Sequence, residues 1–86
     1  MNAERLAEMA NDIAAYFQAE PDHATAVDGM VAHILRFWEP RMRVQIIQHL
    51  RAGDADLMPL AAAAIGMLAR KLDESSPPPH PNGGGD

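Results

Sequence analysis

The chain has 86 residues, 48% of them apolar, a formal net charge of −5 and no cysteine. This length allows one domain, the missing cysteines exclude disulfides and thiolate metal sites, and the acidity disfavours a phosphate-backbone partner. A core drawn from about seventy residues supplies only about 3–5 kcal/mol by itself, so association is the expected reinforcement.

The start, Met-Asn-Ala-Glu-Arg-Leu-Ala-Glu, carries acid where an export signal needs a basic start and an apolar run. The longest uncharged apolar run, Leu57 to Ala69, includes Pro59 and Gly66 and falls short of the roughly twenty residues that span a bilayer. No membrane segment is expected, and the lack of cysteine fits a reducing cytoplasm. Alanine dominates the apolar fraction and β-branched residues are few, a bias toward an all-α fold.

In the first predicted helix, Asn2 to Glu20, the apolar residues Leu6, Met9, Ala10, Ile13, Ala14, Tyr16 and Phe17 follow one helical stripe. Pro21 stops it. Asp22 is the expected N-cap of a second helix whose stripe is Val27, Met30, Val31, Ile34 and Trp38. Gly29 inside it marks the close approach of another helix, while Leu35 and Phe37 fall off the stripe. Pro40 ends this helix and opens a third behind Glu39, with Ile46, Ile47 and Leu50 inward, and Gly53 stops it near Ala52. The short connection forces a sharp corner, around which Arg36, Arg41 and Arg43 gather.

Asp56 is the expected cap of a fourth helix with Pro59 in its first turn and Leu57, Leu60, Ala64, Met67 or Leu68, and Leu72 as its stripe. The composition then changes to Pro, Gly, Ser and Asn, which cannot bury enough apolar surface to offset ordering. The expected architecture is a small bundle of three to four short helices over residues 1–74 and a disordered Pro/Gly-rich tail over 75–86. Pro77 to Pro81 as a polyproline ligand is the weaker reading of that tail.

Charge is uneven. The first thirty residues hold one Arg against six carboxylates, whereas residues 31–51 hold four Arg against Glu39 alone. This basic corner coincides with the only Trp, in His-Ile-Leu-Arg-Phe-Trp-Glu-Pro-Arg-Met-Arg, His33 to Arg43. Trp and Arg beside Phe are residues of interface anchors, and equally of packed cores. The candidate partner-binding residues are therefore Arg36, Phe37, Trp38, Arg41 and Arg43, with Ile34 and Trp38 nearest the apolar stripe. On this basis Arg41→Ala or Trp38→Ala should weaken association more than it disturbs helix content.

Catalytic chemistry has little to stand on. The hydroxyls before the tail are Tyr16 and Thr25, so no Ser or Cys nucleophile is available, and no Gly-rich loop follows a strand. His23, His33, His49 and His80 lack the i, i+4 pairing of a metal site, and His33 and His49 read as partly buried or interface residues. Asp54 and Asp56 match only the start of a calcium loop. A helix-turn-helix reading of the Arg corner opposes the net acidity. A free-standing helical homodimer acting as an adaptor is the alternative within protein binding.

Met9 to Phe17, Val31-Ala32-His33-Ile34-Leu35-Arg36-Phe37-Trp38-Glu39-Pro40-Arg41-Met42-Arg43, Ile47-x-His49-Leu50 and Leu57-x-Pro59-Leu60 resemble the delta subunit of NAD-dependent formate dehydrogenase. The resemblance runs from about Leu6 to Leu72, and Arg-Phe-Trp-Glu-Pro-Arg-Met-Arg is its most specific portion. Met58 stands where an acidic residue is common in that family. The resemblance implies a non-catalytic, cofactor-free accessory subunit of a cytoplasmic complex, supporting assembly, stability or cofactor maturation. It implies that the larger subunits carry a molybdenum or tungsten pterin cofactor, iron–sulfur clusters and FMN, and oxidise formate to carbon dioxide with reduction of NAD. The large catalytic subunit is the expected partner, with no nucleic acid and no membrane.

Overall fold

The computed structural model describes residues 2–53 and 55–75. They form four α-helices, α1 (Ala3–Phe17), α2 (His23–Phe37), α3 (Pro40–Ala52) and α4 (Pro59–Ser75), and no strand occurs among the described residues. The tail expected from residue 75 lies, beyond Ser75, outside them. No helix is long and apolar enough to cross a membrane among the described residues.

Each helix begins where a local signal places it. Asn2 caps α1, its Oδ1 accepting from the Arg5 N–H at 2.7 Å. Asp22 caps α2, accepting from the Thr25 hydroxyl at 2.6 Å and the Thr25 N–H at 2.9 Å, which satisfies a donor that the first turn leaves free. The side-chain and then the backbone hydrogen bond from Thr25 hold the Asp22 carboxyl below its ordinary value. A depressed carboxylate contributes stability above its unfolded value, near pH 4, and loses it as pH falls through the folded value. Asp22→Asn should therefore flatten the decline of the urea midpoint below about pH 4; an unchanged decline would exclude this cap as its source.

Helix α1 ends at Phe17, three residues before the expected stop. The next turn tightens, with the Glu20 N–H bonded to the Phe17 carbonyl at 3.0 Å, so the chain leaves the α ladder through an i to i−3 turn ahead of Pro21. Pro40 occupies the first turn of α3 and Gly53 ends it at φ 81°, a left-handed conformation that glycine adopts without a Cβ clash.

The start of α4 differs from expectation. Helix-type bonding begins with the Ala62 N–H to the Met58 carbonyl at 2.9 Å, so Met58, not Asp56, sits at the cap position. A methionine side chain offers no cap acceptor, and the turn is held from α1 instead: Asn11 Oδ1 accepts from the N–H of Met58 itself and Asn11 Nδ2 donates to the Asp56 carbonyl, both at 2.8 Å. One amide thus clamps both sides of the turn. Asn11→Ala should lower the unfolding free energy by about 1–3 kcal/mol, since the partly buried Met58 N–H loses its acceptor; an unchanged urea midpoint would mean that water replaces both bonds.

The core is entirely apolar among the described residues. Leu6, Met30, Val31, Ile34, Ile46, Ile65 and Leu68 are its largest fully buried side chains. Most of it lies between α2 and α4, which share the most extensive interface, while α2 and α3, though consecutive, share the least. The sharp corner is therefore real, with Trp38 and Glu39 both extended (ψ 140° and 152°). Helix α1 reaches the core through Leu6, Ala7, Ala10 and Ala14. Its buried line is mostly alanine, which lets backbones approach closely, and Tyr16 falls outside it at 78% exposed. In α4 the inward residues are Leu60, Ala61, Ala64, Ile65, Leu68 and Ala69, so Leu68 rather than Met67 completes the stripe.

Candidate functional site

The five candidate residues divide between inside and outside. Trp38, 6% exposed, belongs to the core, its N–H bonded to the Ile34 carbonyl at 2.9 Å as α2 ends. Arg36, Phe37 and Arg41 are exposed and Arg43 is half-buried. Helical phase explains the split on α3: two residues apart means about 200° around the axis. Arg41 lines the outer face with Pro40, Val44 and Gln48, whereas Arg43 shares the inward side with Ile46, Ile47 and Leu50. The three arginines meet at the corner but do not form one surface.

Arg43 reaches inward with its aliphatic stem, which can pack on apolar neighbours, yet its Nε is buried and has no hydrogen-bond acceptor. The ion pairs found among the described residues are Arg5–Glu8 at 3.0 Å and Arg51–Asp73 at 3.7 Å. Arg36, Arg41 and Arg43 take part in neither. The corner thus holds three arginines outside any close ion pair within the described fold, in a chain that is acidic elsewhere.

Phe37 is not isolated. Its ring lies 4.7 Å from His33, which lies 6.4 Å from Phe17, which in turn meets Tyr16 edge-on at 5.1 Å. The Arg36 guanidinium sits 5.7 Å from the Phe37 ring centroid, within cation–π range. The result is a row of four rings across the outer junction of α1 and α2, ending in Arg36. Half-buried Phe17 and His33 form its middle, and Tyr16 and Phe37, 78% and 65% exposed, form its ends.

Gly29 explains how the row closes. A Cβ there would lie 2.7 Å from the Phe17 ring, so the ring rests against the bare backbone of α2. The close approach expected of Gly29 is made by a side chain of α1. Beside the row, Asp12, Ile13, Tyr16, Phe17 and His33 line a shallow trough. Sequence periodicity assigned Tyr16 and Phe17 to the core; Phe17 does pack against it while Tyr16 does not, and the row they begin was missed. The signal available was the i, i+4 spacing of His33 and Phe37, which stacks two rings on one helix face.

A family model described as the NADH-dependent formate dehydrogenase delta subunit FdsD matches residues 5–65. The chain belongs to this delta-subunit family. The match spans α1, α2, α3 and the first turns of α4, and so includes the whole aromatic row, the Arg corner and the Asn11 clamp. No curated protein and no solved structure matches the chain. Among the described residues no three His, Asp or Glu side chains are grouped as metal ligands would be.

Proposed function

We propose that the chain is a non-catalytic accessory subunit of a cytoplasmic, NAD-dependent formate dehydrogenase complex, docking on the large catalytic subunit through the outer side of the α2–α3 corner. Family membership supports the complex, and the observation that carries the docking is the exposed Phe37 between His33 and Arg36, with Arg41 beside it. Aromatic rings and arginine are the side chains that dominate interface energies. Arginine also pairs bidentately with carboxylates, and the pair strengthens once a partner excludes water.

In this reading the contact residues are Arg36, Phe37 and Arg41. Trp38 holds the corner in shape from inside, and so does half-buried Arg43, whose buried Nε is out of a partner's reach. The pterin-bound molybdenum or tungsten, the iron–sulfur clusters and the FMN reside in the larger subunits. The accessory role is to support assembly, stability or cofactor maturation.

The test is a pull-down from cytosol containing all subunits, with a tag on this chain and partners identified by mass spectrometry. The large catalytic subunit should be recovered. Recovery of only another subunit would replace the named partner, and recovery of none would end the proposal.

A further inference from the structure

On α2, the exposed residues Asp28, Ala32 and Arg36 follow one another at i, i+4 spacing and therefore share one face. Ala32 lies two residues, about 200°, from both Met30 and Ile34, which are fully buried, so this face is turned away from the core. Along it the order is acid, small, base. Leu35, 37% exposed, borders it on one side, about 60° round the axis from Ala32.

A two-fold axis through Ala32, perpendicular to the helix, exchanges the positions of Asp28 and Arg36. A second α2 laid antiparallel across the first therefore sets each Asp28 against the other copy's Arg36, the same contact made twice, as an isologous interface requires. Neither residue belongs to an ion pair found among the described residues. Alanine on the axis lets the two backbones approach near the lower end of the usual 8–10 Å range. The complement of this strip is the strip itself reversed, whereas a uniformly acidic or basic helix would satisfy one end and oppose the other.

We infer that α2 pairs with α2 of a second copy of this chain, antiparallel and centred on Ala32, with Asp28 of each copy on Arg36 of the other. This goes beyond the docking reading and does not depend on it. Because Arg36 serves both surfaces, self-pairing is a state of the free subunit that yields to docking. One helix face lies at the small end of interface sizes, so the pairing is weak and depends on concentration. The net charge of −5 opposes the encounter until salt screens it, at a Debye length of about 8 Å in physiological buffer.

Sedimentation velocity on the full chain at physiological salt, from about 10 to 500 µM, tests the pairing. The wild-type chain should move from one chain mass toward two. Asp28→Arg and Arg36→Asp should each weaken the dimer at least tenfold by opposing like charges, with helix content by circular dichroism unchanged. An equal mixture of these two single variants should pair again, and so should the chain carrying both swaps. A wild-type chain that stays monomeric throughout overturns the inference. So does a dimer that both single variants retain, or a mixture and a double swap that fail to restore it.

Discussion

Trp38→Ala should abolish the folded state of the isolated chain. The indole is 6% exposed and sits where α2 ends and the chain turns into α3. Truncating a buried Trp costs about 3–5 kcal/mol in lost burial and cavity formation. A core of this size contributes about the same amount in total. The expected readout is a collapse of the far-UV helical signal and of the cooperative urea transition, with association falling only as the folded fraction falls. A Trp38→Ala chain that keeps its helix content and transition but loses its partner would move Trp38 to the contact surface, where sequence reasoning alone allowed it to be.

Phe37→Ala, one residue earlier, should have the opposite profile. At 65% exposure the ring contributes little to the fold, and substitutions at such positions usually stay within about 0.5 kcal/mol. If the ring anchors the formate dehydrogenase contact, its loss costs about 2 kcal/mol or more of binding, or roughly thirtyfold in affinity. Co-purification of the large subunit should therefore drop by at least tenfold while the urea midpoint stays in place. Adding Arg36→Glu should deepen the loss and make what binding remains less sensitive to salt, because an opposed charge replaces a screened attraction. Full co-purification of the Phe37→Ala chain would remove the aromatic row from the proposed interface.

Much of the fold was legible because its signals are local. Asp22 and Gly53 act within a turn of their own position, and Pro40 restricts its own φ, so the bounds of α2 and α3 agree with the reading from residues alone. The half-burial of His33 and His49 also follows their place at the edge of an apolar stripe. The start of α4 was not legible, because its acceptor is the side chain of Asn11, forty-seven residues before Met58. Tyr16 was misplaced for a related reason. The buried line of α1 runs through alanines, whose weak apolar signal is overridden in any periodicity by the larger rings nearby.

From His33 to Arg43 the same division holds residue by residue. The sequence alone determined that α2 breaks before Pro40, that charge concentrates there, and that the pattern matches formate dehydrogenase delta subunits, since proline geometry, charge and residue order need no neighbours to be read. Only the tertiary structure decided which side chains face outward. It turned Trp38 and the stem of Arg43 inward, left Arg36 and Arg41 at the surface outside the ion pairs found among the described residues, and joined Phe37 to His33, Phe17 and Tyr16. The physical reason is that a helix of period 3.6 assigns directions only relative to itself. Which direction is inside depends on where α1 and α4 come to rest against α2, and that is set by the close approach at Gly29 and by the apolar face of α4.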